Sequence, residues 1–171
     1  MVRDVLAEGL DLVFVGYNPG RASDAAGHHF AGPRNLFWAL VYEAGLVSRR
    51  LKPEEDGEML LYGIGITNLV ERMTPSSGDL TVEEKRAGGR RLREKLSQLT
   101  PKVACFLGKD VYRAYAEVPP SQAVYWGLQD ALVVPGVRDF VAPNPSPRST
   151  IPYGLRLKLM RELCGVLRYG L

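Results

Sequence analysis

Leu12-Val13-Phe14-Val15 runs without a break into Gly16-Tyr17-Asn18-Pro19-Gly20, so a short apolar strand ends in a polar turn. A second junction of the same kind lies far along the chain, where Phe140-Val141-Ala142 leads into Pro143-Asn144-Pro145-Ser146-Pro147-Arg148. In an open α/β sheet the loops beyond the carboxyl ends of parallel strands converge on one crevice, so two such turns can face each other across a ligand. Neither turn is diagnostic alone, because Asn-Pro and Pro-Gly are ordinary turn dipeptides.

Outward from these junctions, short apolar runs alternate with longer amphipathic stretches, the pattern of a layered α/β domain. Strands are predicted at Leu12–Val15, Gly63–Thr67, Val103–Leu107, Ala131–Val134 and Phe140–Ala142. Pro33 to Ala44 places Leu36, Phe37, Leu40 and Val41 on one helical face and stops at Gly45. Thr81-Val82-Glu83-Glu84 reads as a capping box that opens a helix running to Gln98. Gly88-Gly89 inside that helix lowers its stability by about 1 kcal/mol per glycine, so a close backbone approach is expected there. A last helix runs from about Pro152 to Leu167, with Leu155, Leu159, Met160 and Leu163 as its apolar stripe, while Asp24–His29 and Pro75–Asp79 read as surface loops.

With 171 residues, 46% of them hydrophobic and 24% charged, the chain has the size of one compact domain spanning 1–171. No stretch approaches the roughly 18 uninterrupted apolar residues of a membrane helix, and Met1-Val2-Arg3-Asp4 opens no secretory pattern. A cytoplasmic protein is expected, nucleoid-associated in a bacterium, with no membrane partner. Cys105 and Cys164 are too few for a disulfide framework, a four-cysteine zinc site or an iron–sulfur cluster, and read as core residues. The net charge of +3 is mild. From Arg138 onward, however, six basic residues face only Asp139 and Glu162, which suits either a nearby phosphate backbone or a solvated helix face.

Several chemistries lack their motif: there is no Gly-x-Ser-x-Gly elbow, Walker loop, zinc-deaminase signature or Gly-x-Gly-x-x-Gly after the first strand. His28-His29 has no ligand-spaced neighbours and reads as loop, so no metal is expected there. The remaining polar candidates are Asn18, Ser23, Asn68, Glu71, Asn144 and Ser146, with Tyr17 and Phe30 as aromatic planes. A carboxamide is no useful base near neutrality, so a catalytic Asn18 must position water or a ligand group, and the leaving group must be good. An N-glycosidic bond to a pyrimidine such as uracil fits, because the base departs as a delocalised anion while water captures the sugar cation. Phe30 then offers either a stacking face for an extruded base or an ordinary core aromatic.

Gly16-Tyr17-Asn18-Pro19-Gly20, Pro33-x-Asn35-x-Phe37-Trp38, Gly65-Ile66-Thr67-Asn68-Leu69-Val70-Glu71-Arg72, Ala87-Gly88-Gly89-Arg90, Leu107-Gly108-Lys109 and Pro143-Asn144-Pro145-Ser146 together resemble the mismatch-specific uracil-DNA glycosylase and thymine-DNA glycosylase family. The resemblance runs in order from about Asp11 to Leu163. It implies a three-layer α/β/α sandwich around a mainly parallel sheet. It also implies a monofunctional enzyme without metal or cofactor, expected as a monomer on double-stranded DNA, that removes uracil and related bases, usually opposite guanine. Carried over by position, it makes Asn18 the residue that orients the attacking water. Tyr17, Gly20, Ser23, Phe30 and Asn68 become the base pocket, and Asn144, Pro145, Ser146, Pro147, Arg148 and Ser149 the loop that enters the duplex.

Bacterial mismatch-specific members typically have lysine at Asn68, Gly-Leu at Pro147-Arg148 and often isoleucine at Tyr17; Asn68 and Arg148 instead look like the thymine-DNA glycosylase branch, where an arginine is the wedge. Glu71 and Asp24 are candidates for an auxiliary acid, or are structural, Glu71 by pairing with Arg72 or a helix end. A binding module that holds a nucleotide or damaged base without cleaving it is the alternative reading. A nucleoside hydrolase is weaker still, since the aspartate cluster it would want is not visible.

Overall fold

The computed structural model describes residues 1–170. Its centre is a five-stranded sheet of β1 (Leu12–Gly16), β2 (Ile64–Asn68), β3 (Val103–Leu107), β4 (Gly127–Leu128) and β5 (Arg138–Ala142), in the spatial order β2-β1-β3-β5-β4. All neighbours are parallel except β4, which pairs antiparallel with β5 at the edge. Helices α1 (Arg21–Ala26), α2 (Phe37–Glu43), α3 (Val82–Leu99) and α4 (Lys109–Ala116) lie in the connections between strands, and α5 (Tyr153–Tyr169) follows β5.

The strands read as unbroken apolar runs because both faces of the sheet are covered. Leu12, Phe14, Cys105 and Phe140 point into one core layer with α2 and α5, while Val13, Val15, Ala104, Phe106 and Val141 point into the other with α3 and α4. Both cysteines are buried, as expected of core residues. The glycine pair of α3 answers to close packing: a Cβ at Gly89 would sit 2.8 Å from the Ala114 carbonyl oxygen, and one at Gly88 would collide with that of Leu69.

Three sequence expectations are corrected, and one element was not foreseen. Ala131–Val134 is not a strand: Gly127–Leu128 occupies the edge of β5, and the apolar run becomes the connection that turns back through a Val137 N to Val134 O bond. α2 starts at Phe37 rather than Pro33, because the preceding residues are drawn into other bonds, Leu36 N to Pro145 O and Phe37 N to Asn35 Oδ1. Asp24–His29 is not a plain surface loop, since α1 covers its first half and His29 is buried. The adjacent histidines serve packing: His29 N donates to Asp56 Oδ2, the His29 ring bonds to Arg3 O, and His28 Nδ1 lies 3.2 Å from Asp56 Oδ1. The short helix α4, absent from the sequence reading, buries Val111, Tyr112 and Tyr115 on one face.

β1 lies between β2 and β3, so the chain leaves it on one side and returns on the other, which opens a crevice at the carboxyl ends of these strands. The loops after β1, β2 and β5 border that crevice.

Candidate active site at the carboxyl ends of the strands

The crevice is a cleft of about 630 Å³, within the range of small-molecule and nucleobase pockets. Tyr17, Asn18, Gly20, Ser23, Phe30 and Asn68 line it from one side, and Asn144, Ser146, Pro147, Arg148 and Ser149 from the other. These are the expected site residues, brought together from positions more than a hundred residues apart. Pro145 is the exception within its loop: it is buried, and its carbonyl accepts from Leu36 N at 3.0 Å, so it anchors the loop rather than lining the cleft.

Asn18 lies two residues beyond the end of β1, and its amide is fully specified. Nδ2 donates to Arg72 O at 2.9 Å and to Thr74 Oγ1 at 2.6 Å. Both N–H groups are thereby committed, so the side chain can meet a ligand only through Oδ1, an acceptor. The Thr74 hydroxyl in turn donates to Ser76 O at 2.5 Å, which fixes its lone pairs toward Asn18. The segment that supplies these partners is bolted to α3. Arg72 Nε donates to Glu84 Oε1 at 2.6 Å, and Glu84 also closes the capping box with Thr81. The Arg72 hydrogen bond, helped by the Thr81 N–H, holds the Glu84 carboxyl down at about 2, so the clamp stays ionised at neutral pH.

Asn68 ends β2 directly opposite Gly16. A Cβ at Gly16 would lie 2.5 Å from Asn68 Oδ1 and 3.8 Å from the Phe30 ring, so the absence of a side chain there is what lets this amide lie across the end of β1. Phe30 stacks on Phe37 with ring centroids 4.0 Å apart and 22° between planes. Its backbone is left-handed, with φ at 52°, a conformation that non-glycine residues adopt at a cost and that clusters at functional sites. The Ser23 hydroxyl accepts from Ala31 N at 3.1 Å and so braces the loop that presents Phe30. Both readings of Phe30 are therefore partly met, since its ring packs against the core and also borders the cleft.

Tyr17 separates the cleft from a neighbouring groove lined by Lys85, Arg86 and Arg113, and burial together with Asp110 pushes its phenol up to about 12. It is uncharged at any physiological pH.

On the far wall, Asn144 Oδ1 accepts from Ser146 N at 2.8 Å and Ser146 O accepts from Ser149 N at 3.1 Å, so the loop is a closed turn with Pro147 and Arg148 at its tip. Arg148 reaches across the cleft mouth, where Nη1 donates to Pro75 O at 2.9 Å.

The two auxiliary-acid candidates are not brought to the cleft. Asp24 pairs with the Met1 ammonium at 3.1 Å, and exposed Glu71 borders a separate surface depression with Glu83, Glu84 and Arg91. The pairing expected of Glu71 falls to Glu84, which takes Arg72. Sequence reading missed Thr74 and the Arg72 carbonyl, since a backbone acceptor and a threonine before proline leave no signal in composition or spacing.

A mainly parallel α/β sheet with helices on both faces carries, at the carboxyl ends of its strands, a cleft lined by amides, hydroxyls and an aromatic ring, the place and lining of a small-ligand site in this class of fold. The family model described as the uracil DNA glycosylase superfamily matches residues 4–168, nearly the whole chain, and the protein belongs to that superfamily. Its chemistry is that of a DNA glycosylase, a hydrolase acting on uracil in DNA within DNA repair. Among the described residues, no helix is long and apolar enough to cross a membrane.

Proposed function

We propose that the protein is a monofunctional, mismatch-directed glycosylase that swings uracil out of duplex DNA and hydrolyses its N-glycosidic bond, which initiates base excision repair. Related bases opposite guanine, such as thymine or ethenocytosine, belong to the same proposed range. The observation that carries this reading is the double tether of the Asn18 amide, which leaves one acceptor oxygen for a water in a cleft of nucleobase size.

In this mechanism the extruded base enters between Phe30 and the Asn68 amide, and the stack offsets part of the few kcal/mol lost on unpairing. The C1′–N1 bond stretches, the bonding pair leaves with the base as a delocalised anion, and C1′ becomes cationic. Asn18 Oδ1 holds the water against C1′; the water oxygen bonds to carbon, and its proton passes to solvent or the departing base. Free uracil and an abasic sugar result. Electrostatic placement, rather than a general base, supplies the rate. Arg148 serves as the wedge that fills the vacated stack, its planar guanidinium finding phosphate or base-edge acceptors.

A panel of duplexes, each with one modified base opposite guanine or adenine and cleaved by alkali after incubation, tests activity and range together. Strand scission at uracil opposite guanine is expected, together with its loss in Asn18→Ala while duplex binding persists. Full activity in Asn18→Ala would remove the assignment. Binding by the parent with no abasic product from any duplex would favour the module that holds a base without cleaving it.

A further inference from the structure

Arg156 sits in the first turn of α5 and is 3% exposed, yet no carboxylate pairs with it among the described residues. Its placement is unfavourable on three grounds. The guanidinium is desolvated, which pulls its pKa below the ordinary value. It stands at the positive end of a seventeen-residue helix whose first turn has no acidic residue. Its Nε is buried without a partner.

What it does bond is specific. Nη2 donates to Ser146 O at 3.2 Å and to Ser149 O at 3.1 Å, the two carbonyls that bracket Pro147-Arg148. The same turn is closed by Ser149 N to Ser146 O, and Arg148 N donates to Ser146 Oγ at 3.2 Å. One buried cation thus grips both ends of the tip from below. An apolar side chain of similar length would fill the space without the desolvation penalty but would take the Nη2 donor from Ser149 O, while Ser146 O would keep its bond from Ser149 N, so the two effects on stability oppose each other. Desolvation offsets much of what those bonds add to global stability, and what the arginine distinctively fixes is the shape of the loop.

We infer that Arg156 is a positioning residue for the DNA-facing loop: by holding the Ser146 and Ser149 carbonyls it sets the turn from which Arg148 projects over the cleft. The inference rests on the wedge role given to Arg148 above, and it says that the contribution of Arg156 passes through that side chain.

The test is a double-mutant cycle between Arg156→Met and Arg148→Ala, read by binding to a duplex with a tetrahydrofuran abasic analogue opposite guanine and to the matched intact duplex. Neither duplex has a base to release, so the readout is independent of catalysis. The parent should prefer the gapped duplex. Arg156→Met should keep its melting temperature within a few degrees of the parent's, as relieved desolvation opposes the lost hydrogen bonds, and lose about tenfold of that preference, whereas in the Arg148→Ala background it should change the preference less than about twofold. Arg156→Lys, which keeps the charge but ends one bond short of the Nη2 position that holds both carbonyls, should fall between parent and Met and serves as the second variant if Met fails to fold. Equal losses in both backgrounds, an unchanged preference in Arg156→Met, or a parent with no preference for the gap would each overturn the inference. A parent that favours the gapped duplex yet releases no base would overturn the proposed activity alone.

Discussion

The amide nitrogen of Asn18 and the hydroxyl of Thr74 lie 2.6 Å apart although 56 residues separate them, and this bond, with the one to Arg72 O, leaves Oδ1 as the end of the carboxamide free for a ligand. An amide free to flip would present N–H groups to the water for part of the time and lose its use as an acceptor.

Thr74→Val keeps the shape of the threonine and removes the hydroxyl. Loss of one orienting hydrogen bond predicts a fall of about tenfold in the single-turnover rate of uracil release, with duplex affinity within about twofold of the parent. Thr74→Ser should restore most of the rate. Single-turnover kinetics with enzyme in excess, beside a binding isotherm, checks both; a Val variant with the parental rate would show that the Arg72 carbonyl suffices.

Gly16→Ala tests the approach of Asn68 to β1. The added methyl meets Asn68 Oδ1 rather than backbone, so the fold should survive while the amide is displaced. Uracil release should fall by about tenfold with the melting temperature changed by only a few degrees. Asn68→Ala in the Gly16→Ala background should cause little further loss, because the amide has already left its place; additive losses would refute the coupling.

Asp139 predicts a pH dependence of stability. It lies on β5 with no exposed surface, receives a 3.4 Å bond from the Tyr112 hydroxyl on Oδ2, and leaves Oδ1 unpartnered. Burial raises its carboxyl from an ordinary 3.8 to about 7. The folded state therefore binds this proton more tightly than the unfolded chain. The stabilisation is complete below the ordinary value and is lost as pH rises through the folded one. Thermal melts should show Asp139→Asn gaining on the parent between roughly pH 4 and 7 and exceeding it by roughly 10 °C at pH 8. A gap that does not widen with pH would mean the carboxylate is solvated or paired.

Catalysis should not follow that titration. Neither Asn18 nor a phenol at about 12 changes charge near neutrality, so the single-turnover rate, measured well below the melting temperature, should vary little between roughly pH 6 and 8. A steep acid limb with a midpoint near neutrality would bring an ionising base into the mechanism.

Arg148→Ala should weaken binding to a mismatched duplex and flatten its salt dependence by about one counterion, since both the wedge and a cation are lost. Titrations at several salt concentrations would show it, and a parental slope would place Arg148 off the DNA.

Much of this protein was legible along the chain, because the signals are local. Unbroken apolar runs give the buried parallel strands β1 and β3, and the capping box at Thr81 gives the start of α3. The glycine pair at Gly88-Gly89 announced a close packing that the Leu69 and Ala114 carbonyls explain. Asn18 could be singled out from chemistry and resemblance alone. The failures were also physical: Ala131–Val134 has the composition of a strand, yet pairing on β5 had room for Gly127–Leu128 instead. α4 is too short for its periodicity to stand out.

Tertiary structure alone decided how the amide of Asn18 is oriented, which candidate acids stay out of the cleft, and what stands beneath the wedge loop. These depend on backbone carbonyls of Arg72, Pro75, Ser146 and Ser149 meeting side chains from distant segments. Every residue has a carbonyl, so no residue type marks the one that will be used; only the folded path of the chain selects it.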